Sequence, residues 1–126
     1  MFRWLTIALV TALIHATPAK HWKPTPGWNS GRPQPQLIAT ISRRVFGPRW
    51  QAASCIAHFE STDGAHDVNG TSLSPWQIDV HAHPWVNAYR VLRDWTYAAR
   101  VAYRLSSGGT HWSSAWVTTS RDCGLA

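Results

Sequence analysis

Apolar residues recur at helical spacing in the first half of the chain. Leu37, Ile41 and Val45 stand four residues apart, which predicts an amphipathic helix that begins near residue 36 and that the following Gly-Pro pair ends. Residues 49–59 form a second apolar stretch and predict a second helix. If this helix continues by one residue, the side chain of Glu60 falls on the apolar stripe that packs against the rest of the domain, and not on the solvent side.

The pattern turns polar after this second helix. Residues 61–75 are rich in Ser, Thr, Asp, Asn and Gly, which predicts a loop with an Asn69-Gly70 turn. Residues 76–80 are predicted as an extended segment or as one turn of helix. No clear hairpin, internal repeat or βαβ pattern is visible.

The second half of the chain predicts three further helical pieces. A short helix is expected over residues 84–92, with its proline at the start. Asp94 is placed to cap a longer helix, whose apolar stripe recurs every four residues from Tyr97. A last helical piece is expected over residues 113–117. The fold class is therefore mainly α, a single domain with at most a small irregular β element.

The N-terminal segments are predicted to lie outside the domain. Residues 1–16 combine a basic start, an apolar run and small residues suited to cleavage, which is typical of a secretory signal peptide. An uncleaved N-terminal anchor is the alternative interpretation. Residues 17–35 contain five prolines and predict an extended linker. The domain then spans residues 36–126.

Export changes the interpretation of the two cysteines. An even pair in an exported chain predicts a disulfide between Cys55 and Cys123, which ties the C-terminal tail to the second predicted helix. Two unpaired buried thiols are the alternative. The predicted location is secreted, either extracellular or associated with the cell wall.

The formal net charge of +6 is concentrated in the leader. From residue 36 onward eight arginines face six acidic residues, which leaves only +2 on the domain. We expect the basic leader to contact anionic wall polymers or a membrane surface. Export and the lack of a basic recognition helix argue against nucleic acid as a partner. A monomer is expected.

The only glutamate of the chain, Glu60, stands between the apolar stretch and the polar loop. Burial raises the pKa of a carboxyl, and the negative end of a helix dipole acts in the same direction. A carboxyl that stays partly protonated near neutral pH suits the general-acid cleavage of a glycosidic bond. The alternative is a solvated residue at a helix end.

Three motifs follow one another around this glutamate. They are Cys55-Ile-Ala-His-Phe-Glu60-Ser61, then Val68-Asn69, then Ser72-Leu-Ser-Pro-Trp76-Gln77-Ile78. The ordered set resembles the catalytic segment of the lysozyme-like superfamily, in particular the lytic transglycosylases of the soluble type. The resemblance covers residues 37–123 and implies a lysozyme-like fold, α+β with minimal β. The chain departs from the family pattern at Ser74, where glycine is usual, and at Ala98, where asparagine is frequent.

The resemblance implies cleavage of the β-1,4 bond between N-acetylmuramic acid and N-acetylglucosamine in peptidoglycan glycan strands. Glu60 matches the general acid, which then acts as the base that takes the proton of the muramic acid 6-hydroxyl. The product is a 1,6-anhydro sugar, and neither a cofactor nor a metal is expected. The expected substrate-binding residues are Ser61, Asn69, Ser72, Trp76, Gln77, His83 and Tyr97.

A second carboxylate would turn the expected lyase into a hydrolase. Asp79, with His83 four residues later, also resembles the goose-type lysozymes, in which such an aspartate helps to position water. An inverting hydrolase needs room for that water between its two carboxyl groups. An ordinary loop or capping aspartate is the alternative for Asp79, and ordinary loop roles are favoured for Asp63 and Asp67. His81 and His83 with Asp79 have ligand types that zinc accepts, but the cluster is short and isolated.

A function other than catalysis is a further alternative. The chain could be a non-catalytic module that holds wall glycan through its tryptophans and arginines. Nine tryptophans in 126 residues are compatible with this interpretation, although most are expected in the core.

Overall fold

Five α-helices and a small antiparallel sheet make up the part of the chain that the computed structural model describes, residues 22–125. The helices are α1 (Pro35–Phe46), α2 (Trp50–Ser61), α3 (Ala88–Arg93), α4 (Trp95–Leu105) and α5 (Val117–Asp122), with a 3-10 turn at Gly47–Arg49. The prediction of a mainly α fold is confirmed. The predicted signal peptide and the start of the predicted linker lie outside the described residues. Among residues 22–125, no helix has the length and apolar character needed to cross a membrane.

Both helices predicted in the first half are present. Helix α1 begins at Pro35, in the position where a missing N–H costs nothing, and Gly47 follows it with a φ of 57° that favours glycine. Helix α2 extends beyond the predicted end and stops where Thr62 adopts a left-handed conformation, with a φ of 53°. Glu60 therefore lies in the last turn of α2.

Two helices of the second half begin later than the sequence predicts. Helix α3 starts at Ala88 and not at Pro84, because the side chain of Asn87 caps it by accepting a hydrogen bond from the backbone N–H of Arg90 at 3.0 Å. The last helix covers Val117–Asp122, whereas residues 113–115 form a turn.

The capping role predicted for Asp94 is confirmed. Its Oδ1 accepts a hydrogen bond from the backbone N–H of Tyr97 at 3.1 Å, at the start of α4. This cap satisfies one of the free donors of the first turn. The apolar stripe of α4 faces the core as predicted, since Ala98, Val101 and Ala102 are buried.

The sheet contains the hairpin that the sequence analysis did not find. Strands β1 (Val68–Asn69), β2 (Ser72–Leu73) and β3 (Ile78–Asp79) pair antiparallel in chain order. Each strand has two residues, too few to show the alternation that identifies a strand in a sequence. The small β element expected from the sequence is therefore present although no hairpin was visible in it, and its turn contains the expected glycine, at a φ of 59°.

A single core joins the helices to the sheet. Helix α1 packs against α2 and α4, and α2 also contacts α5. The largest side chains at the centre are Trp76 and Trp95, both with no exposed surface. Tryptophan has a larger apolar surface than any other side chain, so each of these two residues buries a large apolar area.

The described end of the Pro-rich segment is bonded to the domain. The backbone N–H of Thr25 donates to the carbonyl of Arg93, and the Thr25 hydroxyl accepts from the backbone N–H of Trp95, both at 2.8 Å. The guanidinium of Arg93 also lies 4.9 Å from the ring centre of Trp28. Thr25 and Trp28 thus attach this segment to α3 and to the start of α4.

Candidate active site

A groove of about 580 Å³ opens beside the end of α2. Its walls come from the small sheet, the turn after β3, the end of α4 and the loop that leads into α5. The lining residues are Glu60, Ser72, Gln77, Ile78, Asp79, Ala82, His83, Leu105, Ser114, Ala115 and Trp116. Five of the nine residues predicted for catalysis or substrate binding therefore meet in one place: Glu60, Ser72, Gln77, Asp79 and His83.

The carboxyl of Glu60 is half-buried in the groove wall. Its Oε1 accepts a hydrogen bond from the hydroxyl of Thr119 at an oxygen–oxygen distance of 2.5 Å. Burial raises the pKa of Glu60 above its usual value, and the hydrogen bond from Thr119 opposes this shift without cancelling it. The side chain is therefore a carboxylic acid over a wider pH range than a solvated glutamate.

The disulfide holds Thr119 beside this carboxyl. Cys55 and Cys123 are bonded, as predicted, and they link α2 to the end of α5 across 68 residues of sequence. Cys55 precedes Glu60 on α2, and Cys123 directly follows the helix that carries Thr119. One covalent bond thus fixes the distance between the two elements that carry the acid and its donor.

Asp79 is an ionised residue that organises the turn after β3. Its Oδ1 accepts from the Thr71 hydroxyl at 2.9 Å and from the backbone N–H groups of His81 and Ala82 at 3.0 and 3.3 Å. The hydrogen bond from Thr71, followed by those from the backbone, lowers the pKa of Asp79 below its usual value. Asp79 has the capping role considered from the sequence, and it also lines the groove.

The loop between β2 and β3 carries Gln77 into the groove wall. Gln77 has a φ of 51°, and its Nε2 donates to the carbonyl of Ser74 at 3.0 Å. Ser74 itself has a φ of 80°, in the left-handed region that favours glycine. The serine at this position, where glycine is usual in the resembling family, therefore occupies a conformation suited to glycine.

Two of the predicted substrate-binding residues are internal. Trp76 has no exposed surface, and its Nε1 donates to the carbonyl of Ala53 at 3.0 Å. Ser61 is buried, donates to the carbonyl of Ala57 and accepts from the backbone N–H of Gly64, both at 2.9 Å. The structure thus corrects the assignment of both residues: their hydrogen bonds join parts of the core and they do not face the groove.

Asn69 and Tyr97 also lie outside the groove lining. Asn69 is exposed on the edge strand β1. The hydroxyl of Tyr97 accepts from the backbone N–H of Asn87 at 3.1 Å, and the guanidinium of Arg90 lies 4.5 Å from the centre of its ring. Tyr97 therefore joins α4 to the start of α3.

The C-terminal region forms one wall of the groove, although none of its residues was among the predicted site residues. Trp116 lines the groove, and its Nε1 donates to the carbonyl of Trp76 at 2.7 Å, which fixes the ring against the core. Thr119 is only 8% exposed, and among residues 22–125 it makes the only hydrogen bond to the carboxyl of Glu60. No local pattern marks a threonine for such a contact. The predicted disulfide was the one available signal that this region lies against α2.

The remaining aspartates of the polar loop lie outside the groove lining. Asp63 pairs with Nδ1 of His58 at 3.1 Å. Asp67 is buried, its Oδ2 has no hydrogen-bond partner in the described part of the chain, and burial raises the pKa of its carboxyl. Among residues 22–125, no three His, Cys, Asp or Glu side chains come together in a way that could hold a metal ion.

The geometry of the site thus consists of a half-buried acid, an ionised aspartate and polar side chains around one groove. Comparisons with family models, with curated proteins and with solved structures found no match for this chain.

Proposed function

We propose that this chain is a secreted peptidoglycan-cleaving enzyme of lysozyme-like fold. Its activity would be that of a lytic transglycosylase on the β-1,4 bond between N-acetylmuramic acid and N-acetylglucosamine. One observation carries the proposal: the carboxyl of Glu60 is half-buried on the wall of a groove, and burial raises its pKa. A groove of about 580 Å³ has the volume of a small-molecule or sugar site.

In this mechanism Glu60 donates its proton to the glycosidic oxygen as the C1–O bond breaks. The resulting carboxylate keeps its hydrogen bond from Thr119, which stabilises the negative charge between the two steps. The 6-hydroxyl of the muramic acid then attacks C1, and Glu60 takes back the hydroxyl proton. The enzyme returns to its starting state, no water is consumed, and the new end is a 1,6-anhydro sugar.

The bonds of Asp79 favour the lyase over a hydrolase. One of its oxygens already accepts three hydrogen bonds that hold the turn after β3. Inverting hydrolysis is the second candidate, because Asp79 is ionised, lines the same groove, and receives no hydrogen bond on Oδ2 from the described residues. In that mechanism Oδ2 would orient the attacking water.

Secretion is part of the proposal. Its support is the N-terminal pattern together with the Cys55–Cys123 bond, since disulfides persist mainly outside reducing compartments. The proposed substrate lies in that same space.

The test is digestion of purified peptidoglycan by the exported, oxidised protein, followed by mass spectrometry of the fragments. Anhydro-muramyl ends are expected, whereas reducing ends would assign the hydrolase mechanism. Glu60→Gln is expected to lower the cleavage rate by a factor of about 100 or more while the fold is kept. Binding of wall without cleavage by the unmodified protein would reject the enzyme and support a binding module.

A further inference from the structure

An exposed aromatic and cationic cluster stands at one end of the groove. The guanidinium of Arg104 lies 4.3 Å from the centre of the Trp85 ring, and Trp85 meets the imidazole of His83 with 6.1 Å between ring centres. His83 lines the groove, as does Leu105, the neighbour of Arg104 at the end of α4. The cluster of Arg104, Trp85 and His83 is therefore continuous with the groove wall.

The charge of Arg104 is not neutralised within the described part of the chain. Residues 22–125 contain two ion pairs, His58 with Asp63 and Arg90 with Asp94. The Arg104 side chain is exposed and makes neither an ion pair nor a hydrogen bond with these residues. Its donors are consequently free for an anion from outside.

Trp85 adds an apolar surface next to this charge. Trp85 is 46% exposed, which is high for a residue with so large an apolar side chain. Stacking of the guanidinium on the ring holds both groups in a defined geometry, so little conformational freedom is lost when a ligand binds.

We propose that Arg104 and Trp85 bind an anionic substituent of the glycan strand that occupies the groove, an inference that rests on the function proposed above. A guanidinium pairs with a carboxylate or a phosphate through two parallel hydrogen bonds, and the indole covers the adjoining apolar atoms. Peptidoglycan offers this chemistry as the carboxylates of its stem peptides, as the lactyl carboxylate where no stem peptide is attached, and as the phosphodiesters of attached polymers. The cluster would make the enzyme prefer substituted strands to uncharged ones.

The experiment measures the binding of soluble wall glycan fragments to the Glu60→Gln protein, which leaves the fragments intact. Arg104→Gln in this background is expected to weaken binding about tenfold, as one charge-assisted contact is lost. Binding of uncharged chitin oligosaccharides of equal length is expected to stay unchanged. Arg104→Lys, which keeps the charge, is expected to retain part of the affinity. Removal of phosphodiester-linked polymers from the fragments identifies the anion: an unchanged Arg104 effect assigns the carboxylates, and its disappearance assigns the phosphate.

Arg43→Gln is the matched control. Arg43 is also exposed and also stacked on a tryptophan, at 4.1 Å from the ring centre of Trp50, and neither residue lines the groove. Equal losses in the two variants, or an equal loss with chitin oligosaccharides, would overturn the proposal. Fragments that bind with no sensitivity to Arg104 would overturn it too while leaving the proposed activity standing. If the Glu60→Gln protein binds no glycan at all, both proposals fail.

Discussion

The hydroxyl of Thr119 donates a hydrogen bond to the carboxyl of Glu60 across 59 residues of sequence. The two residues lie on different helices, α5 and α2, which the Cys55–Cys123 bond joins. Burial and this hydrogen bond have opposite effects on the pKa of the acid, and burial dominates. The proton affinity of Glu60 is thus raised by burial and moderated by a residue of a helix distant in sequence.

Replacing Thr119 with valine is expected to raise the pKa of Glu60 further. The hydroxyl hydrogen bond favours the charged carboxylate, so its loss favours the protonated form. A general acid must hold its proton, and cleavage therefore declines as the pH rises through this pKa. The alkaline limb of the pH–activity profile is expected to move to higher pH in Thr119→Val. Cleavage rates on peptidoglycan over a series of buffers measure the shift.

Thr119→Ser is the control for this prediction. Serine keeps the hydroxyl donor, so its profile is expected to overlie that of the unmodified protein. An alkaline limb that stays in place in Thr119→Val, or moves to lower pH, would contradict the role of the hydroxyl.

Asp67 is expected to destabilise the folded protein near neutral pH. Burial raises its folded-state pKa above the unfolded value of about 4, so the folded state binds the proton more tightly. Stability therefore falls as the pH rises from the unfolded to the folded pKa. Asp67→Asn removes this titration, and its melting temperature relative to the unmodified protein is expected to increase from acid to neutral pH.

Asp79, in contrast to Asp67, is expected to stabilise the folded protein at neutral pH. The hydrogen bond from Thr71 is the main cause that lowers the folded-state pKa of Asp79. The ionised side chain therefore stabilises the folded protein above the unfolded pKa of about 4, and this contribution is lost as the pH falls through the folded-state pKa. Asp79→Asn is expected to lower the melting temperature at neutral pH, with a difference that shrinks in acid. Thermal unfolding of both variants across the same buffers tests the pair. If the melting-temperature differences of the two variants changed with pH in the same direction, the opposite roles of Asp67 and Asp79 would be refuted.

Reduction of the disulfide is expected to lower the free energy of unfolding by about 4 kcal/mol, because the bond closes a long loop in the unfolded chain. The double variant Cys55→Ser with Cys123→Ser is expected to show the same loss. Denaturant unfolding of the oxidised protein, the reduced protein and the variant measures it. Mass spectrometry first confirms that reduction adds the mass of two hydrogen atoms. Equal unfolding midpoints in all three samples would contradict the prediction.

Trp76→Phe separates a core role from a substrate-binding role. The change removes the hydrogen bond to the carbonyl of Ala53 and is expected to cost about 2 kcal/mol of stability. Because Trp76 has no exposed surface, the Michaelis constant for soluble glycan fragments is expected to stay the same at a temperature where the variant is folded. A raised Michaelis constant with unchanged stability would show that Trp76 contacts the substrate.

Local signals in the sequence predicted the helical framework well. The four-residue spacing from Leu37 predicted α1, and Asp94 was recognised as the cap of α4. These features depend on a residue and its near neighbours, since a helix buries one stripe and needs a donor or acceptor at each end. The sequence predicted a small β element but not its three strands, because a strand of two residues shows no periodicity.

The sequence by itself determined the mainly α fold, the pairing of two cysteines and a single glutamate at the end of an apolar helix. Only the tertiary structure decided what surrounds that glutamate. Thr119 and Trp116 reach the groove from a distant segment, while Trp76 turns into the core although it stands next to Gln77, which lines the groove. Periodicity in the sequence indicates on which side of a helix or strand a residue lies. Which residues of distant segments it contacts is decided only when the helices and strands pack together.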